Sequence, residues 1–206
     1  MAKTQIITIG RRFGSGGRVI GKGLAEKLGI PFYDKELITA AAKQSGLCDS
    51  FLQNFEETPT SSLMYSLVMN AQNGGFYMGK PIELVAYEAQ INAVREAAKN
   101  GPCVIVGRCA DYILKDDYDV VSVFITASPE YRAARAAKLE NISIKEAQAK
   151  LNRMDKARAS YHNYHAETKW GASDSYELCI NSEKLTTEQA ADLIKFYIDN
   201  RKAPEE

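Results

Sequence analysis

A glycine-rich segment near the amino terminus has the residue types of a phosphate-binding turn. In ITIGRRFGSGGRVIGK, residues 7–22, a β-branched run leads to three closely spaced glycines and then to a helical pattern. A turn that ends a strand and opens a helix leaves backbone N–H groups unpaired at the positive end of the helix dipole, and such amides receive a phosphate. The alternative is a tight strand–helix turn and nothing more. The residues predicted to form the phosphate site are Phe13, Gly14, Ser15, Gly16, Gly17, Arg18 and Val19.

This turn departs from the usual phosphate-loop pattern GxxxxGK[ST], because Gly17 and Arg18 stand where Lys and Ser/Thr are expected. Arg18 is the natural substitute for the lysine, since its planar guanidinium can span two phosphate oxygens. Lys22 lies one turn further along and is expected to point away. The hydroxyl that would hold magnesium is missing, so the candidates for holding this metal are Ser15, Asp34 or water alone.

Arginines follow at three further places. Arg108 comes directly after the apolar run PCVIVG, where its charge must be paired, for example with Asp111, or face a cleft; anion binding is the favoured interpretation. Arg153 and Arg158 lie at helical spacing and would look the same on a solvated basic face. In a phosphoryl-transfer enzyme, such mobile arginines stabilise the negative charge of the transition state.

Asp34 and a histidine-rich segment complete the candidate chemistry. Asp34 ends a short predicted strand, where it could orient an acceptor or a magnesium-bound water, and it could also cap the next helix. The segment YHNYHAETKW contains both histidines of the chain and could stack on a base or pack against the core. Two histidines without further ligands do not make a metal site.

The elements that must position these residues alternate between strand and helix. Apolar β-branched runs predict strands at 5–9, 30–34, 102–107, 120–127 and 176–181. Helical patterns occupy 18–28, 35–46, a segment after Pro59, 81–99, 111–114, 128–140, 143–165 and 186–202, and residues 76–81 read as a loop. This alternation predicts an α/β fold with a parallel sheet, whose sites lie at the carboxyl ends of the strands.

Five segments together resemble the cytidylate kinase-like family, relatives of bacterial CMP kinase among the P-loop nucleoside monophosphate kinases. They are ITIGRRFGSGGRVIGKGLAEKLGIPFYDKELI, CVIVGRCADYIL, VFITASPEYRAARA, MDKARASYHNYHAETKWG and YELCINSEKLTTEQAADLI. The resemblance implies a three-layer α/β/α P-loop fold with a parallel central sheet, a helical acceptor-binding insert and a lid. It places the core at 1–47, 81–140 and 174–202, the insert at about 48–80 and the lid at about 141–173.

The resemblance also implies roles for individual residues. Arg108 and Cys109 match the acceptor-contacting GRD stretch, Asp155 and Arg158 match the DSxR segment of the lid, and Arg153 lies near the first lid arginine, whose own position is Leu151. The residues implied to contact ATP from the lid side are Arg132 and Arg135. Catalytic roles are expected for Arg18, Asp34, Arg153 and Arg158, and acceptor-binding roles for Arg12, Arg108, Cys109 and Asp155.

Three departures from the family pattern bear on the substrate. The loop lysine is absent, Cys109 replaces the aspartate that reads the cytosine amino group, and Ala40 replaces an acceptor-site arginine. The first hypothesis is an ATP- and Mg²⁺-dependent kinase acting on a nucleoside monophosphate such as CMP or dCMP. The alternatives are a nucleotide-binding regulatory protein without turnover and a kinase for a non-nucleotide metabolite.

Composition limits the other classes of partner. The chain has 206 residues, 45% of them hydrophobic and 25% charged, with a formal net charge of zero. This balance argues against nucleic acid or a membrane surface as partner and favours small-molecule nucleotides. The four cysteines form no CxxC pair, and no exported leader is expected, so we expect a cytoplasmic protein with reduced thiols. The apolar patches at 63–69 and 76–78 could support a homodimer.

Overall fold

The computed structural model describes residues 3–34, 76–77 and 80–202. Side chains are described for residues 3–34 and from Tyr87 onward. Its central sheet has five parallel strands. In chain order they are β1 (Gln5–Arg11), β2 (Phe32–Tyr33), β5 (Cys103–Val106), β6 (Asp119–Thr126) and β7 (Leu178–Asn181), and their spatial order is β2-β5-β1-β6-β7. A separate antiparallel pair joins β3 (Phe76–Tyr77) to β4 (Lys80–Pro81).

Six α-helices connect and cover these strands in the described part of the chain. They are α1 (Gly17–Leu28), α2 (Ile82–Lys99), α3 (Ala110–Leu114), α4 (Pro129–Glu140), α5 (Ile144–His165) and α6 (Thr187–Asn200), and a 3₁₀ turn covers Ser173–Ser175. Local sequence sets several of their starts. Ser128 caps α4 ahead of Pro129, and capping boxes open α5 and α6.

The hydrophobic core lies on both faces of the sheet. On one face, α1 and α6 pack through Leu24, Ala190 and Ile194 against strand residues that include Val123 and Ile125. On the other face, α2 and α3 bury apolar side chains that include Val94 and Leu114 against Ile6 and Ile105. Strand β5 is buried at all four positions, as expected for a parallel strand that is covered on both sides.

Helices α4 and α5 form a smaller apolar cluster of their own. Ala133, Ala136, Ala147 and Leu151 are buried between the two helices, and Phe13 of the glycine-rich turn packs against them. The α4–α5 pair is therefore connected to the rest of the structure at the turn that follows β1.

The strand order places that turn at a switch point of the sheet. Strand β1 lies between β5 and β6, so the chain leaves it toward β2 on one side and continues to β6 and β7 on the other. In open parallel sheets, ligands bind at such a crevice, outside the carboxyl ends of the strands.

The fold expectations are confirmed where the structure describes the chain. The sheet is parallel, helices lie on both of its faces, and the predicted strands and helices are present apart from shifts at their ends. The prediction of a loop at 76–81 was wrong, because Phe76–Tyr77 pairs with Lys80–Pro81 as short strands. The helices predicted at 35–46 and after Pro59 lie outside the described residues. The division into core, insert and lid stays a prediction.

Candidate functional site

The turn between β1 and α1 presents a row of backbone amides. Gly14 and Gly16 adopt left-handed conformations, with φ angles of 80° and 85°. In the described part of the chain, the N–H groups of Gly14, Gly16, Gly17 and Val19 have no backbone acceptor, whereas Ile20 N already bonds to Gly16 O at 3.0 Å. Unpaired amides at a helix amino terminus form an anion-binding nest.

Close packing explains why glycines occupy this turn. A Cβ atom on Gly14 would lie 2.6 Å from the carbonyl oxygen of Arg132, and a Cβ on Gly17 would lie 2.6 Å from Cβ of Arg11. Both contacts are shorter than real Cβ atoms make. The turn is therefore compressed between the end of β1 and helix α4.

An ion pair between α4 and α5 lies behind the turn and supports it. Asp155 of α5 accepts the amide of Phe13 at 2.7 Å through Oδ1 and the guanidinium of Arg132 at 2.7 Å through Oδ2. Arg132 also donates to the carbonyls of Phe13 and Ala127, each at 3.0 Å. Arg132 and Asp155 are both buried, so the pair supports the backbone rather than facing the cleft.

Arg18 and Asp34 form the second ion pair of the site. Nε and Nη2 of Arg18 lie 2.7 and 2.5 Å from Oδ2 of Asp34, which is buried at the end of β2. The Ser15 hydroxyl donates to the carbonyl of Arg12 at 2.8 Å, and Ser15 is only 2% exposed. This geometry does not fit the expectation that Ser15 and Asp34 hold magnesium. The Ser15 hydroxyl is turned inward to a backbone carbonyl, and the Asp34 carboxylate is paired with the Arg18 guanidinium.

The turn opens into a cleft with a strong excess of positive charge. Its volume is about 670 Å³, and among the described residues eight basic and two acidic ones line it. The basic residues are Arg11, Arg12, Arg18, Arg108, Arg135, Lys150, Arg153 and Arg158, and the acidic ones are Asp34 and Glu140. A partly enclosed cleft with this lining attracts polyanions.

Helices α4 and α5 supply the cations of the cleft's far wall. The Arg135 guanidinium lies 3.5–3.7 Å from the position of a Cβ on Gly16, beside the amide nest. Arg158 donates to the carbonyl of Arg11 at 3.2 Å and lies 5.8 Å from the ring centre of Phe13. Arg153 is exposed and lines the same wall.

The backbone after β5 is strained where it meets the cleft. Gly107, Arg108 and Cys109 have consecutive positive φ angles of 74°, 62° and 52°. A side-chain-bearing residue in this region costs about 1–2 kcal/mol, and such strain concentrates at functional sites. Arg108 is buried and donates to Oε1 of Gln90 at 3.0 Å, and the other end of that amide bonds to the hydroxyl of Tyr161.

A small cavity of about 30 Å³ adjoins Arg108, and Cys109 and His162 also line it. The Cys109 thiol is 3.7 Å from Nδ1 of His162, whose Nε2 is 2.9 Å from the Thr168 hydroxyl. Burial lowers the pKa of His162, although Asp111 opposes this effect, and burial raises the pKa of Asp111. The charge of Asp111 thus acts on the His162 imidazole.

The aromatic segment after Arg158 packs onto the core. His165 stacks on Tyr87 with ring centres 3.8 Å apart, and Trp170 meets Phe124 edge-on at 5.3 Å. The guanidinium of Arg12 lies 5.2 Å from the ring centre of Trp170 and also 3.5 Å from Asp155. Tyr164 remains 84% exposed.

The structure gathers most of the predicted site residues on one cleft. Those that line it are Arg12, Phe13, Gly14, Gly16, Gly17, Arg18, Val19, Asp34, Arg108, Arg135, Arg153 and Arg158. Ser15, Arg132 and Asp155 lie behind the turn, and Cys109 lines the inner cavity.

Sequence reasoning missed two polar residues that support the site. Gln90 connects Arg108 to Tyr161, and the hydroxyl of Ser182 lies 2.7 Å from the carbonyl of Ser15. A polar residue on the buried, alanine-rich face of α2 was a signal for Gln90, whereas nothing in the sequence around Ser182 indicated its contact.

The described residues contain neither a cluster of metal ligands nor a membrane-spanning helix. Within 3–34, 76–77 and 80–202, no three histidine, cysteine or acidic side chains come together in a way that could hold a metal ion. No helix in these ranges has the length and apolar composition to cross a membrane. Among the described cysteines, Cys103, Cys109 and Cys179 are free thiols.

The family profile that this chain matches is cytidylate kinase-like, and the curated relatives that it matches are cytidylate kinases. The profile described as the cytidylate kinase-like family matches residues 6–184. A cytidylate kinase of Pyrococcus horikoshii is 28% identical over 197 residues, covering 95% of this chain and 88% of its own.

Solved structures share the fold. An uncharacterized protein from Eubacterium ventriosum is 33% identical with a TM-score of 0.72, covering 96% of this chain and 99% of its own. A shikimate kinase from Bacteroides thetaiotaomicron is 15% identical with a TM-score of 0.54, covering 95% and 99%. At that identity the likeness concerns the fold alone, which is that of P-loop kinases.

Proposed function

Since the chain belongs to the cytidylate kinase-like family, we propose that it is an ATP-dependent kinase whose acceptor is a small phosphorylated molecule, a nucleoside monophosphate such as CMP or dCMP. The observation that carries this proposal is the cleft, in which a nest of free amides faces a wall of arginines. Amide nests bind phosphates, and arginines on the opposite side match a second anionic reactant.

The nucleotide's phosphates would lie on the amides of Gly14, Gly16, Gly17 and Val19. Arg135 stands beside this nest, and Arg18 reaches it by rotating away from Asp34, with which it is paired. An arginine in place of the loop lysine keeps a permanent positive charge at the phosphates. Magnesium would arrive with the polyphosphate, since the described residues offer it no suitable set of protein oxygens.

The acceptor would bind on the side of the cleft lined by Arg12, Arg108 and Arg158. In the transfer, an acceptor oxygen forms a bond to the terminal phosphorus of ATP while the bond to the bridging oxygen breaks, releasing ADP. The transition state spreads negative charge over three oxygens, and arginines placed around it supply the stabilisation. No general base is required of the protein, because positioning and charge stabilisation dominate this chemistry.

A non-nucleotide acceptor is the second candidate, and one specific observation favours it. The aspartate that would read a cytosine amino group is replaced by Cys109, whose thiol faces His162 instead of the cleft. An acceptor base would therefore meet different hydrogen-bonding groups from those of CMP kinase. A third candidate is a regulatory protein that binds nucleotide without turnover, and the missing loop lysine favours it.

An acceptor panel tests the proposal. Purified protein, ATP and Mg²⁺ would be combined with each nucleoside monophosphate and with non-nucleotide acceptors, including shikimate, and ADP release would be measured. Turnover that requires CMP or dCMP is expected. Turnover confined to a non-nucleotide acceptor would replace the first candidate with the second. Tight ATP binding without turnover on any acceptor would support a regulatory protein.

A further inference from the structure

We propose that Asp155 is a positioning residue that sets the shape of the phosphate-binding turn from helix α5. This inference rests on the proposed nucleotide-binding function and deepens it, since it assigns the nucleotide affinity to a side chain that lies behind the site. The resemblance implied that Asp155 contacts the acceptor, but its oxygens are directed to the turn and to Arg132.

Asp155 and Arg132 bind both backbone groups of one residue of the turn, Phe13. The Phe13 amide donates to Asp155 Oδ1 at 2.7 Å, and the Phe13 carbonyl accepts from Arg132 at 3.0 Å, while Asp155 Oδ2 binds the same nitrogen of Arg132 at 2.7 Å. Phe13 immediately precedes Gly14, where the backbone enters its left-handed conformation. The ion pair therefore fixes the orientation of the residue that leads into the amide nest.

Burial makes this arrangement stiff. Arg132 and Asp155 are 6% and 9% exposed, so water does not readily compete for their hydrogen bonds. Arg132 is also tied to the carbonyl of Ala127 at the end of β6. The nest is thus organised before an anion arrives, and a preorganised site binds more tightly because less ordering is needed on binding.

The same contacts assign a new role to helix α5. Arg158, one turn after Asp155, donates to the carbonyl of Arg11, so the helix is bonded to the backbone on both sides of Arg12. A rigid-body swing of this part of α5 would break these bonds and distort the nest. Nucleotide binding and the docking of α5 are therefore coupled, within the region that the resemblance predicted to be a lid.

The test compares two variants with a matched control. Asp155→Ala removes the acceptor of the Phe13 amide and leaves Arg132 unbalanced. The double variant Asp155→Ala/Arg132→Met also removes that buried charge, which restores folding stability if the single variant loses it. Asn152→Ala is the control, because Asn152 is an exposed residue on the same helix. The dissociation constants of ADP and of inorganic pyrophosphate, and the melting temperature, would be measured for each protein.

We expect ADP and pyrophosphate to bind about tenfold more weakly to Asp155→Ala than to the wild type or to Asn152→Ala. The double variant is expected to regain melting temperature but not affinity, because the Phe13 amide still lacks its acceptor. Affinity that returns together with stability, or that never falls, would overturn the proposed role. A wild-type protein that binds pyrophosphate but not ADP would instead contradict the nucleotide-binding function, and the pyrophosphate constants would still test Asp155.

Discussion

Arg18 and Asp34 form an ion pair beside the amide nest. Both nitrogens of Arg18 that face Asp34 contact the same carboxylate oxygen, and the carboxylate is buried while the arginine side chain is 60% exposed. The Arg18 side chain is largely exposed and carries several N–H donors, so its guanidinium can reorient toward a phosphate. We therefore propose that Arg18 takes the place of the missing loop lysine and moves to the ligand when it binds.

Replacing Arg18 by alanine should weaken ATP binding by about tenfold to about a hundredfold, because a charge-assisted hydrogen bond contributes about 1.5–3 kcal/mol. Lys22→Ala is the matched control, since Lys22 is similarly exposed on the same helix and pairs only loosely with Glu26, at 3.8 Å. Isothermal titration with ATP would give both constants. Equal losses in the two variants would show that Arg18 does not contact the phosphates.

The turn before α1 depends on glycine for its backbone and for its packing. Gly14 combines a φ angle of 80° with a Cβ position 2.6 Å from a carbonyl oxygen that belongs to the backbone of α4. Neither the conformation nor the neighbouring atom can adjust easily. In contrast, Gly23 lies within α1 itself, and among the described residues a Cβ there would approach only the Thr187 methyl group, at 3.9 Å.

Gly14→Ala should therefore lower the free energy of unfolding by at least about 1–2 kcal/mol, the cost of a left-handed conformation for an alanine. It should also weaken nucleotide binding, because the nest is displaced. Gly23→Ala should raise stability by about 0.5–1 kcal/mol, since alanine favours the helix interior. Urea denaturation of both variants checks the pair, and a stable Gly14→Ala protein with normal ADP binding would contradict this account of the turn.

A half-buried imidazole helps to hold the carboxyl-terminal end of α5. His165 stacks on Tyr87, and burial lowers its pKa below the ordinary value of 6.5. The unfolded chain then binds the proton more readily than the folded protein as the pH falls through 6.5. The contribution of neutral His165 to stability is therefore complete above that pH and is lost progressively below it.

His165→Phe should keep the ring stacking and remove this proton uptake. We expect the loss of unfolding free energy between about pH 7.5 and about pH 5.5 to be smaller in the variant than in the wild type. Urea denaturation at the two pH values measures the difference. An imidazole that titrates above 6.5 in the folded protein, followed by proton NMR, would reverse the sign of the argument.

For the chain as a whole, the sheet and the location of the site could be predicted from the sequence, but the contacts within the site could not. Apolar runs such as CVIV and the capped starts of α4 and α5 are local signals, and the carboxyl ends of parallel strands must share one edge. The bond between Phe13 and Asp155 joins residues 142 positions apart, and no local pattern encodes it.

The resemblance predicted where residues lie in the fold better than it predicted which atoms their side chains contact. Arg132 and Asp155 were expected to contact ligands, yet their donors and acceptors are directed to the backbone around the turn. Cys109 was expected at the acceptor, and it lines an inner cavity with His162. Motif spacing predicts which elements meet, whereas the direction of a side chain depends on neighbours that come from distant parts of the chain.

A crystal structure of the protein with ADP and Mg²⁺ tests the central claim most directly. The account predicts that phosphate oxygens of ADP accept hydrogen bonds, at about 2.7–3.2 Å, from the amides of the turn at Gly14, Gly16, Gly17 and Val19, with a guanidinium of Arg18 or Arg135 on the same phosphates. Nucleotide that binds at another place while these amides remain without a phosphate would contradict it.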